Sequence, residues 1–240
     1  MKAILTFHSI DDSGSVLSFP ARALESLLAG LAGAQLPVVD LDTLLAPETQ
    51  RGIALSFDDG MRSVHDQALP ILRDHGVPAH LFLTTGAVGQ DNRWPGQPPS
   101  APAFEMLGWP EIEALSEAGM RFEAHTHTHP DLTAVGADQM AADCELADAI
   151  IASRLGRRPA YFAYPYGRLS AAASSYARCR YRASMTTVLG SIAGGEDLAA
   201  LPRIDTYYLR SRWIHRRLDS PATQAWLELR AVLRRVRGST

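Results

Sequence analysis

Two short segments of the chain concentrate residue types that do chemistry. Ser56-Phe57-Asp58-Asp59-Gly60 follows the apolar run Ile53–Leu55, which puts adjacent carboxylates where a strand meets its turn. Neighbouring side chains of a regular strand face opposite ways, but Gly60 releases the backbone and lets both acids reach the same end of a sheet. Two carboxylates crowded together repel, raising one pKa, unless a cation neutralises them. Asp-Asp-Gly is also ordinary turn chemistry, so this motif alone decides nothing. The second segment, Ala124-His125-Thr126-His127-Thr128-His129-Pro130, carries three of the eight histidines. In an extended strand His125 and His129 would lie about 13 Å apart, too far to share an ion with bonds of about 2.1 Å. The spacing therefore predicts a turn after His125, a helical one in which residues i and i+4 share a face and His127 points away. Together with Asp59, His125 and His129 make a His, His, carboxylate set with open positions for water and substrate, as catalytic metal sites have. A third segment, Phe162-Ala163-Tyr164-Pro165-Tyr166-Gly167, ends a short strand in a turn whose Tyr166 N–H is placed to meet an oxyanion.

The elements that must position these groups alternate between short apolar runs and helical patterns, the signature of β-α units around a parallel sheet. Strands are expected at Ala3–Phe7, Val38–Leu41, Ile53–Phe57, Ala79–Leu83, Met120–Ala124, Tyr161–Tyr164 and Ala183–Thr186. Helices are expected at Pro20–Leu31, Val64–His75, Pro110–Ala118 and Ala137–Leu155, with Ser or Pro opening several and Gly closing them. About seven such units predict an α/β fold with a closed or nearly closed barrel. Residues 89–102 (GQDNRWPGQPPSAP) fit neither pattern and form a long excursion, in which Trp94 either platforms a sugar ring or pins the loop to the body.

A chain of 240 residues, 46% hydrophobic, is expected to form one domain spanning 1–240. A net charge of -3 supplies no global basic field, which argues against nucleic acid as a partner. From Arg203 onward, however, nine Arg face only Asp205, Asp219 and Glu228, so the end of the chain is locally basic, with a helix expected at about 221–238. Cys144 and Cys179, each in a helical stretch, make neither a disulfide framework nor a thiolate cluster. The apolar run before His8 is shorter than a signal sequence needs and no run is long enough to span a membrane, so the expectation is a soluble, cytoplasmic chain.

In order and spacing, the three segments resemble the motifs of the polysaccharide deacetylases of carbohydrate esterase family 4, the NodB-homology group. The flanking MLGWPEIEALSEAG and Pro130-Asp131-Leu132 fit as well, so that the resemblance covers roughly residues 3–206. It implies a single distorted (β/α)7-type barrel and a metal-dependent hydrolase that removes acetyl groups from N-acetylated carbohydrate. By similarity Asp58 is the catalytic base, Asp59, His125 and His129 are the metal ligands, and the Tyr166 amide is an oxyanion donor. The cofactor implied is one divalent metal ion, zinc first, with cobalt, nickel or iron as alternatives.

Two departures qualify the resemblance. An Arg that pairs with the base in many relatives is replaced by Ala163; Arg203 is a substitute unless it holds Asp205 instead. The family's late Leu-x-His motif, which bears the catalytic acid, has no clear match, and His215 reads as a surface residue in an Arg-rich stretch. His8 ends the first strand, as in some deacetylases of the poly-N-acetylglucosamine type, and is the expected general acid. Rival readings keep the site but change the substrate, to a deformylase or amidase acting on lipid-linked sugars or small amides, or keep the fold without catalysis as a sugar-binding module. In the first, the basic C-terminal helix lies on anionic lipid as a peripheral contact; otherwise it covers the barrel with its Arg stems in solvent.

Overall fold

The computed structural model of the protein describes residues 1–95, 97 and 101–236. Seven strands, β1 (Lys2–Phe7), β2 (Gly52–Asp59), β3 (His80–Leu83), β4 (Arg121–Ala124), β5 (Tyr161–Ala163), β6 (Ala183–Leu189) and β7 (Leu201–Asp205), form a closed barrel in chain order. Every pairing is parallel, and β7 returns to β1 with Leu5 opposite Ile204. Around them run α1 (Ala21–Gly33), α2 (Leu41–Leu45), α3 (Leu69–Asp74), α4 (Trp109–Glu117), α5 (Ala137–Leu155), α6 (Ala171–Arg180), α7 (Arg212–His215) and α8 (Pro221–Val236). The barrel and its helical surround are those expected from the alternation of apolar runs and helical patterns. The last two residues of the expected C-terminal helix lie outside the described residues, as do 96 and 98–100 of the excursion after Gly89.

Six of the seven expected strands are present. Val38–Leu41 is not a barrel strand: Val38 makes a single bridge to Ile53, and the Asp40 carboxylate accepts the Thr43 N–H at 2.7 Å, capping α2. A side chain able to cap a helix start competes with the ladder, and Leu41 and Leu44, three apart and both buried, complete the helical choice. The strand not foreseen is β7. Pro202 lacks an N–H, and β7 pairs with β6 through a register irregularity between Met185 and Leu189, so its signal in sequence is weak.

Along the strands the two-residue alternation separates two apolar layers. Ala3, Leu5 and Phe7 of β1 and Ile53, Leu55 and Phe57 of β2 pack outward against Leu24, Leu27 and Leu31 of α1. Ile4, Ala54, Phe82, Ala163, Met185 and Leu201 fill the barrel interior as a separate cluster. Two residues further along, the inward positions become Thr6, Ser56 and Arg203, so the interior turns polar towards the C-terminal strand ends. This gradient places the chemistry at one end of a solid barrel.

At the opposite end Glu123 is fully buried and accepts from Ala160 N–H (2.7 Å), Tyr161 N–H (3.0 Å) and Arg157 (3.0 Å). His80 accepts the Leu41 N–H on Nε2, so its proton sits on Nδ1 and faces Glu123 at 3.2 Å. All these donors would lose their partner at once in Glu123→Ala. That variant should lose about 3 kcal/mol of unfolding free energy, read from urea denaturation. A loss below about 1 kcal/mol would mean that water replaces the carboxylate there.

Candidate metal centre

Both acids sit at the end of β2, where the chain leaves the regular strand. Asp59 has φ 73° and Gly60 φ 101°, and the Gly60 N–H donates to the Asp58 carbonyl at 2.9 Å. Because that left-handed step interrupts the alternation, Asp58 and Asp59 both reach the barrel mouth instead of facing opposite ways. Gly60 meets the need for positive φ at no steric cost, while Asp59 is held there against strain. Five described non-glycine residues have positive φ, and four of them, Asp59, Thr126, His129 and Tyr166, belong to this site. Strain of this kind, about 1–3 kcal/mol each, persists where the surroundings over-determine it and clusters at functional sites.

The histidine segment does bend to bring His125 and His129 together, although not through a helical turn. Left-handed residues Thr126 (φ 69°) and His129 (φ 55°) reverse the chain instead. Asp143 of α5 fixes this reversal: its carboxylate accepts from the N–H groups of His127 (2.8 Å) and Thr128 (3.1 Å) and from the Thr128 hydroxyl (2.8 Å). Inside the turn the Thr126 hydroxyl oxygen accepts the His129 N–H at 3.0 Å. His127 points away and pairs with the Thr85 hydroxyl at 2.9 Å.

Asp59, His125 and His129 are buried, with one donor atom from each lying within 4.8 Å of the others. Asp59 Oδ1 is 3.2 Å from His125 Nε2 and 3.4 Å from His129 Nε2. His125 gives its Nδ1 proton to the Ala163 carbonyl at 2.7 Å, which leaves Nε2 as the atom presented to Asp59. With its Nδ1 proton committed to Ala163, His125 meets the Asp59 oxygen through Nε2 only by way of a second proton or a metal ion. Burial pushes the His125 pKa down, but the Asp59 hydrogen bond and the nearby Asp58 charge return it above its ordinary value. His129 stays below its ordinary value because burial outweighs Asp59. Asp59 is held well below the usual carboxylate range, burial being outweighed by its hydrogen bonds to both imidazoles. Two nitrogens and one oxygen converging with surplus negative charge fit a divalent cation of zinc type.

Beside this trio, Arg203 of β7 crosses the interior and grips Asp58 with both terminal guanidinium nitrogens, Nη1 donating to Oδ1 at 2.8 Å and Nη2 to Oδ2 at 2.6 Å. Its Nε donates to the Thr186 carbonyl at 3.0 Å, and the whole side chain is buried. Asp205 instead accepts the Tyr207 N–H at 2.9 Å, so Arg203 is the partner of Asp58 and stands in for the Arg absent at Ala163. Although burial raises the Asp58 pKa, the Arg203 charge and hydrogen bonds outweigh it and keep the carboxyl ionised below the ordinary value.

Tyr166 and Trp94 form a wall at the mouth. Trp94 donates its indole N–H to the Tyr166 hydroxyl at 3.1 Å, and their rings lie 4.2 Å (Trp94) and 4.7 Å (Tyr166) from the His129 ring. The excursion after Gly89 thus reaches the site through Trp94. His8 follows Phe7, the register partner of Phe57, so it lies abreast of Asp58.

His215 was expected on the surface but is buried, at the end of α7 against α1. Its Nδ1 pairs with the Ser26 hydroxyl (2.9 Å) and its Nε2 with the Leu209 carbonyl (2.8 Å), so neither nitrogen is available for proton transfer. Its short, Arg-rich helix suggested exposure, but Ile214 and Leu218 are buried with it. Tyr166 was expected here through its amide and Trp94 as a sugar platform or a pin for its loop; Asp143 and the hydrogen bond that joins Trp94 to Tyr166 were not foreseen, since each arises only through the fold.

Several known proteins resemble this chain. The family model for polysaccharide deacetylases matches residues 46–183. The Bacillus subtilis polysaccharide deacetylase-family protein YxkH is 22% identical over 208 residues, 84% of this chain and 70% of its own length. Poly-beta-1,6-N-acetyl-D-glucosamine N-deacetylase of Staphylococcus aureus is 26% identical over 132 residues, and the matched segment spans 50% of this chain and 42% of that enzyme. Among solved structures, IcaB from Ammonifex degensii superposes with a TM-score of 0.75 at 21% identity, covering 89% of this chain and 96% of that one. The Streptococcus pyogenes deacetylase PplD gives 0.71 at 23% identity, with 85% and 91% covered. The chain belongs to the polysaccharide deacetylase family.

Proposed function

We propose that the protein hydrolyses the acetamide of an N-acetylated sugar, with Asp59, His125 and His129 holding a divalent ion and Asp58 as the base. The observation that carries this reading is the bidentate Arg203–Asp58 pair set against the Asp59, His125, His129 trio, which separates a proton acceptor from the metal-holding groups. A bound ion, zinc in the first instance, supplies Lewis acidity towards water and the acetyl carbonyl. Asp58, kept ionised by Arg203, takes a proton from the attacking water at a carboxylate oxygen. The Tyr166 N–H, at the left-handed turn after β5, donates to the carbonyl oxygen as charge gathers there, a contribution of about 3 kcal/mol for a well-aimed donor. His8 returns a proton to the departing sugar nitrogen. The whole of 1–240 is read as one catalytic domain, with α8 attached to it.

The reading is tested by screening metal-loaded protein against N-acetylated oligosaccharides, lipid-linked sugars and simple amides for release of acetate. Acetate from the sugars, and little from simple amides, is expected. Release from small non-sugar amides alone would move the substrate class.

The role of His8 has its own test. His8→Asn should keep the metal and slow amide turnover by about a hundredfold, the lower end of what a positioned acid contributes. On activated aryl acetates, whose leaving group needs no proton, the loss should shrink to a few-fold. Equal losses on both substrates would confine His8 to shaping the site.

A further inference from the structure

The second half of α8 presents an apolar face that is exposed among the described residues. Leu229, Val232, Leu233 and Val236, spaced i, i+3, i+4 and i+7, are 38–79% exposed. At about 100° per residue they lie opposite Thr223 and Leu227, the buried residues that seat the helix on the body. A stripe of four aliphatic residues turned to solvent is not what a helix covering the barrel needs. It also does not stand alone. A cavity of about 290 Å³ joins Leu233, Arg230 and Arg234 to Asp205, Tyr207 and Tyr208, at and after the end of β7, and to Val16, in the loop after β1, so that two guanidinium groups face one carboxylate. Both segments leave the barrel at the C-terminal strand ends, so the patch borders the end where Asp58 and Asp59 lie. Tyr207 and Val16 are themselves exposed, and Arg210 ties them together: its guanidinium donates to the Ser15 and Ser18 carbonyls and lies 4.8 Å over the Tyr207 ring.

We propose that this face, the outer side of α8 with Tyr207 and Val16, docks on an anionic lipid bilayer and holds the barrel mouth close to the membrane surface. The charge on the patch selects that occupant. Arg230 stacks its guanidinium 5.3 Å from the Trp226 ring at one edge of the aliphatic stripe, and Arg234 lies 6.0 Å from the Tyr208 ring in the cavity beside it. Arg210, held over the Tyr207 ring, adds a third guanidinium to the patch in a chain whose net charge is -3. Aliphatic residues along one side of a helix with Arg beside them match the boundary between acyl chains and anionic headgroups. A second copy of the chain fits less well, because a two-fold interface over this face would bring its Arg residues against their own copies.

The test reads binding and not turnover, so its outcome is independent of the deacetylase reading. Wild-type protein should float with vesicles of equal moles of phosphatidylcholine and phosphatidylglycerol, stay in solution with phosphatidylcholine alone, and detach as salt is raised. The variant carrying Leu229→Ser, Val232→Ser and Val236→Ser should bind at least about tenfold more weakly, with an unchanged melting temperature because all three side chains are exposed. As a second measurement, Val232→Trp should show indole fluorescence quenched by brominated acyl chains. Equal flotation of the triple variant and wild type, or no quenching at Val232→Trp, would overturn the proposal. So would wild-type protein that never floats but sediments as a dimer abolished by the triple substitution, since the covering surface would then be a second copy.

Discussion

Asp58→Asn is expected to keep the metal ion and lower turnover by roughly a hundredfold or more, the usual contribution of a positioned general base. Asn retains the shape of Asp and still accepts from Arg203 through its amide oxygen, so the trio beside it survives while the proton acceptor is gone, at a cost in stability for the buried guanidinium left without its counter-charge. Metal content near wild type with collapsed kcat is the expected pair of results; loss of metal as the main defect would make Asp58 a ligand. Arg203 gives the same claim a pH dependence. A base works in its ionised form, so activity is lost as pH falls through the Asp58 pKa, which Arg203 holds below the ordinary carboxylate value. Arg203→Met should therefore move the acid limb of the kcat profile to higher pH. It should also destabilise the protein by about 3 kcal/mol, because it strands a buried carboxylate. The pair's contribution to wild-type stability has the sign of any carboxylate with a depressed pKa: present above the unfolded value, and lost as pH falls through the folded one.

His129→Ala should remove both the ion and the activity, which is the largest effect expected of any single substitution in the site. Three protein donors are the usual complement of a catalytic metal centre, and two leave an ion bound weakly against water. His129 is also the ligand that Trp94 and Tyr166 pack against, so its loss opens the wall of the site. His127→Ala provides the control two residues away. Its ring is turned to Thr85, and the reversal that positions His129 depends on the His127 backbone N–H, which alanine retains. Metal analysis should find the ion in His127→Ala and not in His129→Ala. The opposite pattern would mean that the reversal after His125 runs the other way.

What was legible in the sequence was what local chemistry dictates. Asp58-Asp59-Gly60 and the three histidines mark themselves by residue type, and distance alone required a bend after His125. The form of that bend was not legible, because it depends on Asp143, which is fourteen residues beyond His129 and joins the turn only when α5 packs against it. Arg203 could be proposed as a replacement but not distinguished from a partner of Asp205. The choice depends on β7 lying one strand away from β2 across β1, and β7 itself was hidden by Pro202. Val38–Leu41 failed for the converse reason, an apolar run whose Asp40 capped a helix before a ladder could form. His215 shows the same limit from the other side, since a histidine among arginines looks exposed until α1 closes over it.

The central claim is that this site cleaves an acetamide on a sugar with a divalent ion held by Asp59, His125 and His129. Its most direct test is to measure acetate and free primary amine released together from N-acetylglucosamine oligosaccharides by zinc-loaded wild-type protein, by protein stripped with a chelator, and by Asp58→Asn. Wild-type protein should release equal moles of acetate and amine, lose both on stripping and recover them on adding zinc back, while Asp58→Asn should release neither above about a hundredth of the wild-type rate, a limit of the size a general base contributes. Oligosaccharide that binds the zinc-loaded wild type but yields no acetate, or acetate released at the same rate by Asp58→Asn, would contradict that claim.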